Sequence, residues 1–262
     1  VETYYFAKLR IWENQDERDL ACIRMDDPIL TGYIERCKAK ILGFARRYFG
    51  IHGVYAYDGW INIVGDDGKE ERLIEIQSLG LIGPHNEWNV AASVAATLPL
   101  DIERDSICNT LMNFKGIEHR LEFVRELEGV LFYNDSKSTN PDSLDWALQT
   151  FTSSIILIAG GLDKGTDFSF LRNRISEKVK LAILIGKAKE KLKNEWIGAT
   201  EIIIANSLPD AVELAFENSS PGDIVLLSPG CASFDMFDNF EHRGRVFKEL
   251  VNKLKSKYEK RT

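Results

Sequence analysis

VLFYNDSKSTNPDSLDWALQTFTSSIILIAGG, residues 130–161, decides the fold. An apolar run (130–135) breaks into small polar residues. A helical stretch follows from Pro141 to about Phe151, and then a second apolar run (154–161). Both runs are continuous rather than alternating, as expected of strands covered on both faces. The unit repeats downstream. KLAILIG (180–186), EIIIA (201–205) and DIVLLSP (223–229) are strand-like, with helical segments at 168–179, 188–196 and 208–218 and a long last helix at about 236–258. Upstream, RLEFVREL (120–127) meets VLFY across Glu128 and Gly129, predicting an antiparallel hairpin at the sheet edge. The fold class is therefore α/β. Residues 117–262 form a Rossmann-like domain with a mostly parallel sheet.

Residues 1–116 have a different texture and form a separate domain. VYAYDGWINIV (54–64) alternates and turns at Asp58 and Gly59, a hairpin signal. RLIEIQ (72–77) predicts another strand, and residues 86–98 a helix. A second helix is expected at 101–114, with Asp101 as its N-cap. The N-terminus is charged and helix-like and opens on Val1 rather than Met, so a longer protein is expected.

Composition narrows the function classes. The 262 residues carry a net charge of −7, which disfavours a nucleic-acid binder. None of the four cysteines falls in a C-x-x-C pair, so neither zinc-ribbon nor thioredoxin chemistry is indicated. No apolar run approaches the length of a membrane-spanning helix, and no signal core is present. A cytoplasmic protein without membrane insertion is the expectation.

Ligands of open parallel sheets sit beyond the carboxyl ends of the strands. Those ends carry NDSKSTN (134–140), GGLDKG (160–165) and SPGCASFDMF (228–237), which should cluster on one rim. Thr139 or Asn140 ahead of Pro141 forms a helix cap, but a cap does not explain Lys137, because a cation near a helix N-terminus opposes the helix dipole. A phosphate or carboxylate ligand would. Lys164, between glycines, could approach a ligand too, although an ordinary strand-to-helix turn gives the same pattern. Neither a nucleophile elbow nor a histidine arrangement supports Cys231 as a nucleophile.

The loops together resemble the Mur ligase family, and within it the D-glutamate-adding members. The resemblance rests on FYNDSKSTNPDS, AGGLDKGTDFS, LLSPGCASFDMFDNFEHRGRVF, GPHNEWNVAAS, GIEHRLEFV and YYFAKLRIWEN, in the family's order over nearly the whole chain. It implies a three-domain enzyme. This chain would hold the rear of the P-loop-type, ATP-binding central domain (1–116) and the C-terminal amino-acid-binding domain (117–262). The implied reaction in peptidoglycan precursor synthesis activates the carboxylate of UDP-N-acetylmuramoyl-L-alanine with ATP as an acyl phosphate, which the amine of D-glutamate then attacks.

The same resemblance implies site roles. Asn86 and Asn89 would face the adenine, Asp135 the ribose and Arg120 a nucleotide phosphate. Lys137 would serve both nucleotide and reaction. D-glutamate would be held by Lys164 and Thr139 at one carboxylate and by Lys137, Ser233, Phe234 and Phe240 at the other. Lys8 matches a lysine that is carbamylated and helps hold Mg2+, an ion that prefers oxygen ligands.

The chain departs from the family's pattern: no G-x-x-x-x-G-K-[ST] loop occurs in it. The family's upstream acidic magnesium ligand, histidine and UDP-binding domain are also missing. Activity is therefore expected only with the missing N-terminal part. Two alternatives remain at this point: another Mur-type or folylpolyglutamate-type amide ligase, and a nonenzymatic module that kept the fold without the ATPase half.

Overall fold

The structure is a computed structural model that describes residues 2–256. Contacts divide the chain into two compact units, Val1–Phe114 and Lys115–Thr262.

The first unit runs α1 (Glu2–Leu9), β1 (Leu20–Arg24), α2 (Pro28–Gly32), β2 (Lys40–Ala45), β3 (Gly53–Tyr57), β4 (Trp60–Val64), β5 (Glu70–Glu75), α3 (Pro84–Thr97) and α4 (Arg104–Asn113). Its strands form one sheet in sequence order, β1-β2-β3 parallel and β3-β4-β5 antiparallel. The hairpin turns at Asp58 and Gly59 with φ of 53° and 79°. Two successive left-handed residues match the right-handed twist of the flanking strands, which is why Asp-Gly suits this turn. Val90, Ala91, Val94 and Ala95 of α3 pack on Val54, Ala56, Ile61 and Ile63.

One expected cap is corrected. Asp101 has left-handed backbone (φ 49°) after the short turn Leu98–Leu100, and α4 starts at Arg104 behind Glu103. A side-chain N-cap needs extended backbone, which Asp101 lacks.

The second unit runs β6 (Glu122–Leu127), β7 (Val130–Asn134), α5 (Pro141–Thr150), β8 (Ile155–Gly160), α6 (Arg172–Lys178), β9 (Val179–Ile185), α7 (Lys189–Trp196), β10 (Glu201–Ile204), α8 (Leu208–Glu217), β11 (Ile224–Leu227) and α9 (Phe240–Lys253). The sheet order is β10-β9-β8-β11-β7-β6, and every pair is parallel except the β6–β7 hairpin. This is the Rossmann-like α/β layout read from the periodicity.

Both faces of this sheet are covered. Ile155 and Leu157 pack with Leu144, Leu148, Ile175, Leu192 and Trp196 from α5, α6 and α7. Their neighbours Ile156 and Ile158 point the other way, against Ala211, Val212, Phe247 and Val251 from α8 and α9. Each such side chain contributes about 1.5–3 kcal/mol on burial, so an uninterrupted apolar strand is what a two-faced core requires.

The last helix is shorter than its sequence pattern. Met236 and Phe237 are in turns closed by Ser233, and α9 begins only after Asn239, whose side chain accepts the His242 N–H at 2.7 Å. A side-chain cap at Asn239 stops the helix from extending upstream. At the other end it stops at Lys253, where Leu254 leaves helical backbone (ψ 132°), short of the expected end near Tyr258, which lies outside the described residues. Among the described residues, no helix is long and apolar enough to cross a membrane.

Candidate functional site

β11 inserts between β7 and β8, with Leu227 in register with both Asn134 and Ile158. That places the three polar loops side by side at one rim. The Asp135 N–H donates to Leu227 O at 2.8 Å, and the Gly160 N–H to Pro229 O at 2.9 Å. Leu162 and Ala232 then bridge the second and third loops.

Asp135 is almost fully buried. Its Oδ1 accepts the Leu121 N–H at 3.2 Å, and its Oδ2 the Ser228 hydroxyl at 2.8 Å. Burial pushes its carboxyl up to about 7, and the two hydrogen bonds with the nearby guanidinium charges of Arg120 and Arg243 offset only part of that.

Lys137 follows two residues later and is half-buried, with its Nζ 5.5 Å from the centre of the Phe240 ring. That contact joins two of the expected amino-acid-site residues. Between Asp135 and Lys137, Ser136 is buried and donates from its hydroxyl to Phe240 O at 2.8 Å. Thr139 is half-buried in the same loop, and Asn140 is the cap of α5, accepting the Ser143 N–H at 2.8 Å.

On the second loop Lys164 is exposed. Its neighbour Asp163 is held inward by Lys191 at 2.9 Å and by the Thr166 N–H and hydroxyl. On the third loop Ser233 is buried, while Phe234 is 66% exposed. Two buried polar atoms at this rim, Ser138 Oγ and Asp235 Oδ1, have no hydrogen-bond partner within the protein. Buried polar groups are normally paired, so orphans in a loop cluster fit a site for a polar ligand. Cys231 is not a nucleophile here, because burial pushes its thiol up to about 12.

Arg120 is exposed between two residues in left-handed backbone, His119 (φ 67°) and Leu121 (φ 45°). His119 is buried, with its Nδ1 2.9 Å from Asn134 Nδ2. Its ring lies so close to α9 that a Cβ on Gly244 would sit 2.2 Å from Nδ1, so only glycine fits there. Glu118, His119 and Glu122 offer ligand atoms close enough for a metal ion. The Lys248 ammonium already spans both carboxylates, at 2.8 and 2.7 Å, and supplies the positive charge an ion would bring.

The other expected residues lie in the first unit. Lys8 is exposed in the last turn of α1, its Nζ 5.4 Å from the centre of the Tyr4 ring. No cluster of three acidic, histidine or cysteine ligands surrounds it among the described residues. The residues present therefore do not by themselves fit a magnesium site. Asn86 is buried at the start of α3, donates to Ile82 O at 2.6 Å, and accepts from Asn89 Nδ2 at 2.9 Å on its Oδ1. Asn89 is exposed one turn on. The beginning of α3 is further fixed by Trp88, which sits beside the guanidinium groups of Arg24 and Arg46 (4.1 and 5.0 Å) and donates to Asp26.

Sequence reasoning passed over Arg243. It is fully buried, and its guanidinium donates to Ser136 Oγ, Ser136 O and Cys231 O at 3.0, 2.8 and 3.1 Å. The signal was present. Arg243 shares the buried stripe of α9 with Phe247 and Val251, at spacings of four residues, and a charge on such a stripe asks for a partner.

Known proteins are similar to this chain. The family described as "Mur ligase, glutamate ligase domain" matches residues 119–231. The UDP-N-acetylmuramoylalanine--D-glutamate ligase of Caldicellulosiruptor bescii is 41% identical over 256 residues, covering 97% of this chain and 56% of the relative. That of Geotalea uraniireducens is 43% identical over 253 residues, covering 97% and 55%. The chain thus spans a little over half the length of these curated relatives. Among solved structures, a MurF ligase of Thermotoga maritima in complex with ADP superposes with a TM-score of 0.68 at 19% identity, covering 100% of this chain and 58% of the other. The UDP-N-acetylmuramate-alanine ligase MurC of the same organism gives 0.65 at 16%, covering 100% and 56%. At these identities the superpositions speak for the fold alone, while the sequence comparisons speak for the family: this chain resembles the Mur ligases over nearly its whole length, and its residues 119–231 match their glutamate ligase domain.

Proposed function

We propose that this chain is the amino-acid-binding and partial nucleotide-binding portion of a cytoplasmic, ATP-dependent ligase. The ligase joins D-glutamate to UDP-N-acetylmuramoyl-L-alanine in peptidoglycan precursor synthesis. In this reading residues 1–116 are the rear of the ATP-binding domain and residues 117–262 the amino-acid-binding domain. The observation that carries the reading is the rim itself: Lys137 over Phe240, with Ser233 on the neighbouring loop beside orphaned polar atoms. A dicarboxylate needs two anion sites. Lys137, Ser233, Phe234 and Phe240 form one, and Lys164 with Thr139 the other. Each charge-assisted bond is worth about 1.5–3 kcal/mol.

ATP, when bound, supplies the phosphoryl group that turns the alanyl carboxylate into an acyl phosphate. Asn86 and Asn89 present amides to a base edge, Asp135 a strand-end carboxylate to the ribose, and Arg120 a planar fork to a phosphate. The incoming amine then forms the C–N bond as the C–O bond to phosphate breaks, and the amine proton is lost. Lys8 as a carbamate would contribute one oxygen ligand to magnesium, with the remaining ligands from outside this chain.

The amino-acid site is tested by titrating the purified chain with D-glutamate in a calorimeter. Saturable binding, weaker for L-glutamate, is expected. No binding of D-glutamate at millimolar concentration would overturn the assignment of the rim.

A further inference from the structure

We infer that Arg243 is the positioning residue that holds the three rim loops in register. Its guanidinium is fully buried and makes no hydrogen bond to a carboxylate. Burying an ion costs several kcal/mol unless its hydrogen bonds are well made. An apolar residue would continue the Phe247 and Val251 stripe of α9 without that cost. The charge is spent instead on the rim.

The geometry is specific to a planar fork. Nε and Nη2 take the Oγ and the carbonyl of one residue, Ser136, while Nη1 takes the carbonyl of Cys231. Ser136 directly precedes Lys137, and Cys231 lies two residues before Ser233. The second loop passes against the same group, since a Cβ on Gly161 would lie 3.3 Å from Nη1. Ser136 also closes a circuit: it accepts from Arg243 and donates to Phe240 O, and the Phe240 ring lies under the Lys137 ammonium. One guanidinium thus sets the spacing between the Lys137 and Ser233 loops, and through Ser136 the seat of Phe240. A lysine ammonium donates from a single nitrogen and lacks the planar fork that meets these three acceptors at once.

The test is amide hydrogen exchange on the chain, comparing wild type with Arg243→Met and Arg243→Lys. In the methionine variant the amides of Lys137, Leu162, Met236 and Phe237 should exchange at least about tenfold faster, with those of Leu157 and Leu226 in the sheet unchanged. The lysine variant should recover only part of the protection. Unchanged loop exchange overturns the inference, and so does a uniform increase that includes the sheet. Should Arg243→Met fail to fold, Ser136→Ala removes the hydroxyl that links Arg243 to Phe240 O and must produce the same local pattern. A ligand arm rests on the proposed function: D-glutamate should bind at least about tenfold more weakly to Arg243→Met. A wild-type chain that binds no D-glutamate refutes that reading, while the exchange data still decide the role of Arg243.

Discussion

At the scale of single residues, position on the rim separates groups that face a ligand from groups that build its seat. Lys137 and Lys164 belong to the first kind, one half-buried over Phe240 and one exposed between glycines. Replacing either by alanine should weaken D-glutamate binding by about 10- to 150-fold, the loss of one charge-assisted bond. Melting temperature should hardly change. Unaltered affinity in both variants would remove them from the site. Asp135, the proposed ribose contact, is nearly buried and hydrogen-bonded to Leu121 and Ser228. Its carboxyl is raised to about 7 when folded, so the folded state holds the proton more tightly than the unfolded chain. The associated stability is complete below the ordinary carboxylate range near 4 and is lost as pH rises through about 7. Asp135→Asn, which cannot ionise, should therefore gain stability relative to wild type between pH 5 and 8. At about 1.4 kcal/mol per unit, the change should reach a few kcal/mol. Urea melts across that range check the sign, and a parallel pH dependence in both proteins would contradict it.

At the scale of elements, the order β7-β11-β8 does most for the site, because a late strand brings a late loop between two early ones. β11 is only four residues long and every one of them is buried. Its Leu226 is fully buried, in register with Tyr133 on one side and Leu157 on the other. Leu226→Asp places an unpaired carboxylate there, at a cost beyond about 4 kcal/mol. The second unit should lose its cooperative melt by circular dichroism. A transition within a few degrees of wild type would mean that this strand is not the centre of the sheet.

At the scale of the molecule, Lys8, Asn86 and Asn89 belong to one compact unit and the amino-acid rim to the other. Neither contains a phosphate-binding G-x-x-x-x-G-K-[ST] loop. Phosphoryl transfer depends on positioning and charge neutralisation around the phosphates. The purified chain, given ATP, the UDP-sugar peptide and D-glutamate, should therefore release no phosphate above background. Measured turnover would show that the chain holds a complete catalytic site.

By itself the sequence determined the Rossmann-like unit, its edge hairpin and the rim loops. The reason is local: continuous apolar runs, Asp-Gly and Glu-Gly turns, and the Asn140–Pro141 cap act over a few neighbouring residues. The loop motifs also pointed to the family later supported by its relatives. β1 and β2 escaped notice although LACI (20–23) and ILGFA (41–45) are apolar, because neither run alternates cleanly or falls in a repeating strand–helix pattern. The start of α4 was misplaced because Asp101 has the composition of a cap without its backbone. Only the tertiary structure decided that β11 lies between β7 and β8, that Asp135 is sealed by Leu121 and Ser228, and that Arg243 fastens Ser136 to Cys231. Those facts depend on contacts between residues from about a dozen to about a hundred positions apart, which no local pattern encodes.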